Sequence, residues 1–339
     1  MTKGGTIHMT ISFEAKEEFF TFHDPMQDGK LIDRKTEVRF DPLTGETSRI
    51  IFDPGAPFSP PDYEALGKET EGAKCPFCPE NVASFTPKFP EELVEGGRLT
   101  INEAVAFPNL FPYSKHNAVV RMCDPHYVKL DEFTVPIISD AFSAAFAYLN
   151  KVSESDPDTK YASINWNYLP PSGGSILHPH IHVLASEHPT NYQRIMKDGE
   201  NRLADLVEEE QERNERWIGE VGSISWVHAY APKSHCDFIG VFDAASIQEL
   251  NEQSWTDLAE SVTRFFKYYG QVGLASFNLG LFIPMTADGN ERVHVRMIPR
   301  MTTGMLETSD MNVFNYLHQE PLCLKVPEEV TKDVAVYFN

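Results

Sequence analysis

The segment His178-Pro179-His180-Ile181-His182 places an imidazole at every second position, and Val183-Leu184-Ala185 extend it as an apolar run. Side chains two residues apart in an extended strand share a face, so this pattern lines one wall with three imidazoles. Neutral imidazole can act as a nucleophile, a proton carrier or a metal ligand. The chain has 12 histidines, so three in strict alternation are a concentration of chemistry rather than a scatter. A purely metal-binding wall is the competing reading.

The loop ahead of this strand, Asn167 to Ser175, suits a phosphate. Gly173 and Gly174 let backbone N–H groups come close to an anion, and Asn167 and Ser175 add neutral donors. Upstream, Cys75-Pro76-Phe77-Cys78 brings two thiols to metal-ligand spacing. The chain holds 5 cysteines, an odd number with one close pair, which suggests a metal site or a redox pair rather than a disulfide framework. Zinc would need two more ligands. The candidates are His126, in Cys123-Asp124-Pro125-His126, and His178. With His178 on the metal, the strand would be clamped beside His180 while His180 stayed unligated. The alternative, a redox couple, lacks the strand-to-helix context of a thioredoxin-type pair.

The elements that must position these groups show in the hydrophobic periodicity. Short β-like runs occur at 49–52, 104–107, 118–122 and 161–168, with a helical period across 129–153. Residues 54–72, rich in Pro, Gly and acid, read as an exposed loop, and the charge-dense stretch 197–220 as a solvated helix face. From about 223 the order repeats, with strands at 224–227 and 238–242, a helical stretch at 246–269, and strands at 277–282 and 293–298. Strand, strand, helix, strand, strand in both halves predicts an α+β protein made of two copies of one antiparallel unit. The first 35 or so residues, without a clear period, read as an arm or an added strand.

A chain of 339 residues accommodates two such units. Its formal charge of −21 and the lack of a basic stripe argue against nucleic acid and anionic membranes as partners. No apolar run reaches the roughly 20 residues of a membrane span, and the first 20 residues lack a secretory apolar stretch, so a cytoplasmic location is expected.

Taken in order from about Arg39 to about Val330, these segments resemble the galactose-1-phosphate uridylyltransferase branch of the histidine triad superfamily. Arg39-Phe-Asp-Pro-Leu-Thr-Gly45 resembles its opening segment, and Cys75-Pro-Phe-Cys78-Pro-Glu-Asn81 its zinc-binding pair. Pro108-Asn109-Leu-Phe-Pro112 is similar to its nucleotide-side loop, Asp124-Pro-His126 to its third metal ligand, and Asn167 through His180 to its active-site strand. The resemblance implies two histidine-triad-like repeats, each an antiparallel half-barrel sheet with helices, assembled as a homodimer. It divides the chain into an arm at 1–38, a repeat at 39–195 carrying the zinc site and the catalytic histidine, and a second repeat at 196–339. By the same resemblance Cys75, Cys78, His126 and His178 hold one structural zinc, and His180 is the nucleophile. Arg39, Asn109, Asn167, Gly173, Gly174, Ser175 and His182 become substrate-binding candidates.

The implied reaction is a double displacement. His180 takes the nucleotide from a nucleotide sugar or another nucleoside diphosphate, and phosphate or a sugar 1-phosphate then takes it from His180. Asn167, Ser175 and the amides of Gly173 and Gly174 would stabilise the phosphoryl charge.

The chain departs from this pattern in three places. His182 stands where the transferases have glutamine, and an imidazole there can handle protons, which opens hydrolysis. Asn278-Leu-Gly-Leu-Phe-Ile283 and His294-Val-Arg296 stand where many members hold a second metal, so none is expected and His294 reads as structural. No acid lies at Asn315 or Tyr316 in the late loop 312–319, where the hexose would be gripped, so galactose is not indicated. The leading expectation is a nucleotidylyltransferase like hexose-1-phosphate uridylyltransferase. A nucleotide hydrolase or phosphorylase using the same covalent histidine comes second, with a nucleoside diphosphate sugar or a dinucleoside polyphosphate as substrate. A non-catalytic nucleotide-binding protein comes third.

Overall fold

The computed structural model describes residues 11–52, 62–287, 289–304 and 307–339. A hairpin of β1 (Glu14–Asp24) and β2 (Lys30–Phe40) is followed by β3 (Thr47–Ile51), α1 (Glu64–Thr70) and α2 (Pro79–Phe85). The next unit is β4 (Leu99–Ile101), β5 (Ala104–Pro108), β6 (His116–Arg121), α3 (Val135–Ser155), β7 (Tyr161–Tyr168) and β8 (His180–Ser186). Helices α4 (Asn191–Asp198) and α5 (Leu203–Arg213) lead to β9 (Trp217–Val221), β10 (Ile224–His228), β11 (Phe238–Phe242), α6 (Glu252–Val272), β12 (Ser276–Pro284) and β13 (His294–Arg300). The chain closes with β14 (Thr302–Thr303), β15 (Thr308–Ser309), β16 (Leu322–Cys323) and α7 (Pro327–Ala335).

One order of elements, three strands, a long helix and two strands, thus occurs twice. The two units join edge to edge in a single sheet ordered β4-β5-β6-β8-β7-β12-β13-β11-β10-β9. Every pairing in it is antiparallel, and the seam is β7 against β12, with Asn167 opposite Asn278 and Asn165 opposite Gly280. The expected antiparallel α+β repeats are present, fused into one ten-stranded surface rather than left as two separate sheets.

Period-two alternation assigns the two faces of that surface. Ala162, Ile164, Trp166 and Tyr168 of β7 and Ile181, Val183 and Ala185 of β8 point into the main core. There they meet α3 through Ile138, Ala141, Phe142, Ala145 and Leu149, and α6 through Trp255, Leu258, Val262, Phe265 and Tyr269. Both apolar stripes recur at three- and four-residue spacing. Thr134 caps α3 by accepting from the Ile137 amide, and Gly273 ends α6 with φ of 79°. The opposite face carries His180, His182, Asn165 and Asn167.

Several expectations need correction. Residues 54–61 of the expected exposed loop lie outside the described residues, as do residues 1–10 of the arm, but 64–70 form α1 rather than loop. The rest of the arm is the β1–β2 hairpin, whose second strand runs past residue 38, and it joins β3 and β16 in a four-stranded sheet. The stretch 197–220 is not one solvated face, because Leu203, Leu206 and Glu210 of α5 are buried. No helix among the described residues is long and apolar enough to cross a membrane.

Candidate active site

Cys75, Cys78, His126 and His178 are all buried, and their ligand-type atoms lie within 4.8 Å of one another. The Cys75 Sγ to His178 Nδ1 distance is 3.7 Å, Cys78 Sγ to His178 Nδ1 is 3.8 Å, and Cys78 Sγ to His126 Nδ1 is 3.6 Å. A tetrahedral ion with metal–ligand bonds of roughly 2.0–2.3 Å holds its ligand atoms about 3.5 Å apart, so this donor set fits a four-coordinate metal. The ring orientations agree. His178 Nε2 lies 2.7 Å from the Cys123 carbonyl, which only accepts, so Nε2 carries the proton and Nδ1 keeps its lone pair. His126 Nε2 sits 2.9 Å from Thr70 Oγ1, again leaving Nδ1 toward the thiols. Two imidazoles converging on one point is what a metal requires and a dithiol couple does not. Asn81 shapes the cysteine loop, donating to the carbonyls of Gly72 and Cys75 at 2.8 Å each.

His178 precedes β8, and His180 opens it. His180 Nδ1 lies 2.8 Å from the His178 carbonyl and therefore carries the proton, which leaves Nε2 as the free lone pair. Burial depresses the imidazole below its ordinary value, against the opposing effect of that carbonyl bond, so the ring is neutral at pH 7. His182 is pushed down to about 4, by burial first and then by its neighbour His180. The two rings meet edge-on with centroids 5.2 Å apart. His182 Nδ1 is buried and has no hydrogen-bond partner.

Alternation places Asn165 and Asn167 of β7 on the same face. Asn165 is opposite His182, and the antiparallel register carries Asn167 toward His180. Past His182 the face continues as a cleft of about 340 Å³, lined by Tyr113, Ser163, Leu184, Ser186, Thr190 and Gln193 among others.

The glycine loop differs from expectation in one respect. The Gly173 amide is bonded to the Pro170 carbonyl at 2.9 Å, and the Gly174 amide to the Leu169 carbonyl at 3.2 Å. Both N–H groups are committed to the turn and are not aimed at an anion. The two glycines allow the turn itself: Gly173 has φ of 89°, and a Cβ on Gly174 would sit 3.1 Å from the carbonyl oxygens of Asn167 and Leu169. Ser175 follows them and is exposed.

Two other expected substrate residues are engaged in bonds of their own. Arg39 is held by Glu37 at 2.6 Å and by both carboxylate oxygens of Glu328, at 2.8 and 3.0 Å, and lies over the Tyr230 ring. These partners gather near the β10 end of the sheet, and four strands separate β10 from β8. Asn109 is occupied in shaping its own loop, donating to Asn117 Oδ1 at 3.0 Å and accepting from the Phe111 amide at 3.2 Å. That loop presents exposed Leu110, Phe111 and Tyr113, with the Tyr113 ring 6.2 Å from His182.

His294 is structurally satisfied: Nδ1 meets the Arg292 carbonyl at 3.1 Å, Nε2 meets the Tyr192 hydroxyl at 3.2 Å, and the ring stacks on Phe282. Arg296 pairs with buried Asp237 through two bonds of 2.7 and 2.6 Å.

Two groups of site residues escape sequence reasoning. Phe77, between the two cysteines, lies edge-on to His180 with centroids 5.2 Å apart and packs on Phe107. Asn278 of the second unit reaches Asn167 across the seam, and Arg300 of the same unit donates to Asn278. The only hint of the latter was a polar residue within the apolar run Phe277–Phe282.

No family model matches the chain. A protein of Archaeoglobus fulgidus, described only as uncharacterized, is 32% identical over 320 residues, which cover 92% of this chain and 95% of that one. Among solved structures, an ADP-glucose phosphorylase of Arabidopsis thaliana with bound ADP-glucose matches with a TM-score of 0.67, over 88% of this chain and 98% of its own, at 17% identity. A GalT-like protein of Arabidopsis thaliana gives 0.66 over the same shares and at the same identity. A uridylyltransferase gives 0.62 over 89% of this chain and 98% of its own, at 16% identity. At these identities the likeness establishes the fold.

Proposed function

We propose that this chain, which belongs to one family with the Archaeoglobus fulgidus protein and has the fold of the galactose-1-phosphate uridylyltransferase-like branch of the histidine triad superfamily, transfers a nucleotidyl group through His180. The observation that carries this reading is the bond from His180 Nδ1–H to the His178 carbonyl, which leaves Nε2 unprotonated on the open face of β8.

The steps balance with these groups. The Nε2 lone pair attacks the α-phosphorus in line, the bond to the leaving phosphate oxygen breaks, and that oxygen departs with the electron pair. The imidazole gains positive character, which the carbonyl on Nδ1 offsets. An acceptor oxygen then attacks phosphorus, the P–N bond breaks, and the pair returns to Nε2. A phosphate or sugar phosphate acceptor needs no base. Water does, and in this reading His182, kept neutral by burial, takes its proton. Phosphoryl charge is held by neutral donors, Asn167, Ser175 and His182, with the exposed rings of Phe111 and Tyr113 beside the cleft as surfaces for a base.

We read Cys75, Cys78, His126 and His178 as residues that would hold zinc, on their two-sulfur, two-nitrogen donor set. It supplies no chemistry to the transfer. It would fix the His178 backbone, whose carbonyl orients His180. A homodimer belongs to the same reading, supported by exposed Val313, Tyr316 and Leu317 on the late segment.

Neighbours of this fold include both a phosphorylase and a uridylyltransferase, so the acceptor is the open variable. Incubation with UDP-glucose, ADP-glucose or a dinucleoside polyphosphate, with and without phosphate or a sugar 1-phosphate, tests the reading. An acid-labile nucleotidyl adduct, lost in His180→Gly, is expected. Release only on adding an acceptor identifies a transferase or phosphorylase, and release in buffer a hydrolase. No adduct with any donor would sink the reading.

A further inference from the structure

On one face of the sheet, four consecutive strands carry a row of neighbouring polar side chains: His180 on β8, Asn167 on β7, Asn278 on β12 and, one diagonal step along, Arg300 on β13. Asn278 stands opposite Asn167, and Arg300 lies next to it, opposite Ser276. Arg300 Nη1 donates to Asn278 Oδ1 at 3.0 Å. Asn278 Nδ2 donates to Asn167 Oδ1 at 2.6 Å and to the Ser172 carbonyl at 2.9 Å. Asp310 anchors the far end, accepting from Arg300 Nε and Nη2 at 2.9–3.1 Å and from the Met301 amide at 3.2 Å.

The direction of this chain is set by its ends. A guanidinium has donors and no acceptor, so the Asn278 atom facing Arg300 must be its oxygen. A backbone carbonyl has no donor, so the Asn278 atom facing Ser172 must be its NH₂. That same NH₂ faces Asn167, which therefore must offer its oxygen there. The orientation of both amides follows from obligate partners. With its oxygen given to Asn278, Asn167 keeps its NH₂, a pair of donors, for other partners, and the other neighbour of its strand is β8, which bears His180. Each bond also polarises the next in one sense, starting from the positive charge of Arg300.

We propose that Asp310, Arg300 and Asn278 form a positioning relay from the second unit that locks the Asn167 amide with its donors toward the phosphoryl group at His180. The claim rests on the reading of His180 as the site of nucleotidyl transfer, and it names a role that reading does not contain. Asn278 and Arg300 touch no reacting atom in it. They decide whether Asn167 shows a phosphate two donors or a carbonyl oxygen. For a site with a neutral imidazole nucleophile and no free cation in this row, that choice separates attraction from repulsion.

Asn278→Asp is the informative variant. A carboxylate accepts from Arg300 as before but cannot donate to Asn167, so the Asn167 amide turns over, gives its NH₂ to Asp and shows its oxygen to the phosphate. Affinities for AMP and UMP are measured beside those for adenosine and uridine, together with the single-turnover rate of adduct formation from the wild type's best donor. The expected result is a loss of about 10–100-fold in nucleotide affinity and of about 100-fold in adduct rate, with nucleoside affinity unchanged. Asn278→Ala, which leaves Asn167 free to adopt either orientation, should fall between the two and serves if the aspartate variant does not fold. Because the relay acts through Asn167, Asn167→Ala combined with Asn278→Asp should be no worse than Asn167→Ala alone. Bound metal and Tm are followed in parallel, and a merely structural role would lower Tm without this non-additivity. If the wild type makes no adduct but Asn278→Asp still weakens AMP and not adenosine, the transfer reading fails and the relay stands. If the wild type makes adduct and Asn278→Asp matches it, or if the two substitutions add, the relay is overturned.

Discussion

The ring of Phe77 meets the ring of His180 edge-on, with centroids 5.2 Å apart, so a residue enclosed by the cysteine pair forms one wall of that imidazole's seat. Phe77 also lies edge-on to His178 and packs against Phe107. Two constraints therefore orient His180, a hydrogen bond behind it and an aromatic edge beside it, and both originate at the group of two cysteines and two histidines. Phe77→Ala should remove one of them while leaving all four ligands in place. Truncating a buried aromatic costs about 3 kcal/mol or more, and the freed imidazole should form adduct roughly 10-fold more slowly. Denaturation midpoints and single-turnover rates check the two effects, and an unchanged rate in a folded variant would show that Phe77 only fills space.

Metal removal tests the same connection from the other side. One equivalent of zinc per chain is expected, and a strong chelator should lower Tm by about 10 °C or more, because ligand deprotonation and folding are coupled to binding. Adduct formation should fall with the metal and return with it. If a chelated, demonstrably zinc-free protein kept both its Tm and its rate, the cluster would have no positioning role.

At position 182 the prediction concerns where the nucleotide goes. His182 is half-buried, held neutral with its pKa down at about 4, and has its ring 5.2 Å from that of His180. His182→Gln keeps a donor for the phosphoryl oxygen but cannot take a proton from water. Release of the adduct to water should drop about 10-fold or more, while release to phosphate changes by less than about 3-fold. The ratio of the two rates, measured on isolated adduct, decides it. A parallel fall in both would mean that the imidazole serves in binding alone.

What could be read from the residues follows from how local each signal is. The histidine alternation and the cysteine pair are short-range patterns whose chemistry is dictated by residue type, and the four ligands do converge. Strands at 161–168 and 238–242 were legible because period-two alternation or a continuous apolar run within one segment suffices. The Asn167–Asn278 contact was not, since it joins residues 111 apart through the register of two strands from different units. The roles of Gly173 and Gly174 were misassigned for a different reason. Their composition permits either an anion nest or a tight turn, and the choice was made by the carbonyls of Pro170 and Leu169, which took both amides. Arg39 was expected at the substrate by resemblance alone, and the Glu328 carboxylate of the C-terminal helix claims it instead.

That last pair makes one contribution to stability depend on pH. Burial alone would raise the Glu328 carboxyl, but its bonds to Arg39, the Arg39 charge and a bond to Arg216 outweigh burial and hold it down at about 2. A carboxyl bound more tightly as its anion in the folded state stabilises fully above its unfolded value of roughly 4.3, and it loses that contribution as pH falls through the folded value. Replacing Glu328 by Gln removes this term and leaves Arg39 and Arg216, both deeply buried, sharing one anion fewer. The variant should be less stable by on the order of 2–3 kcal/mol at pH 7, given that a quarter of the Glu328 side chain is still exposed. The difference should stay flat down to about pH 5 and narrow as pH drops further, because the carboxyl of the unfolded wild-type chain then takes up protons while the folded one stays ionised. Urea midpoints of both proteins from pH 7 to pH 3.5 give the comparison. A gap that stays constant to the lowest pH would mean that Glu328 contributes through packing and neutral hydrogen bonds rather than through its charge.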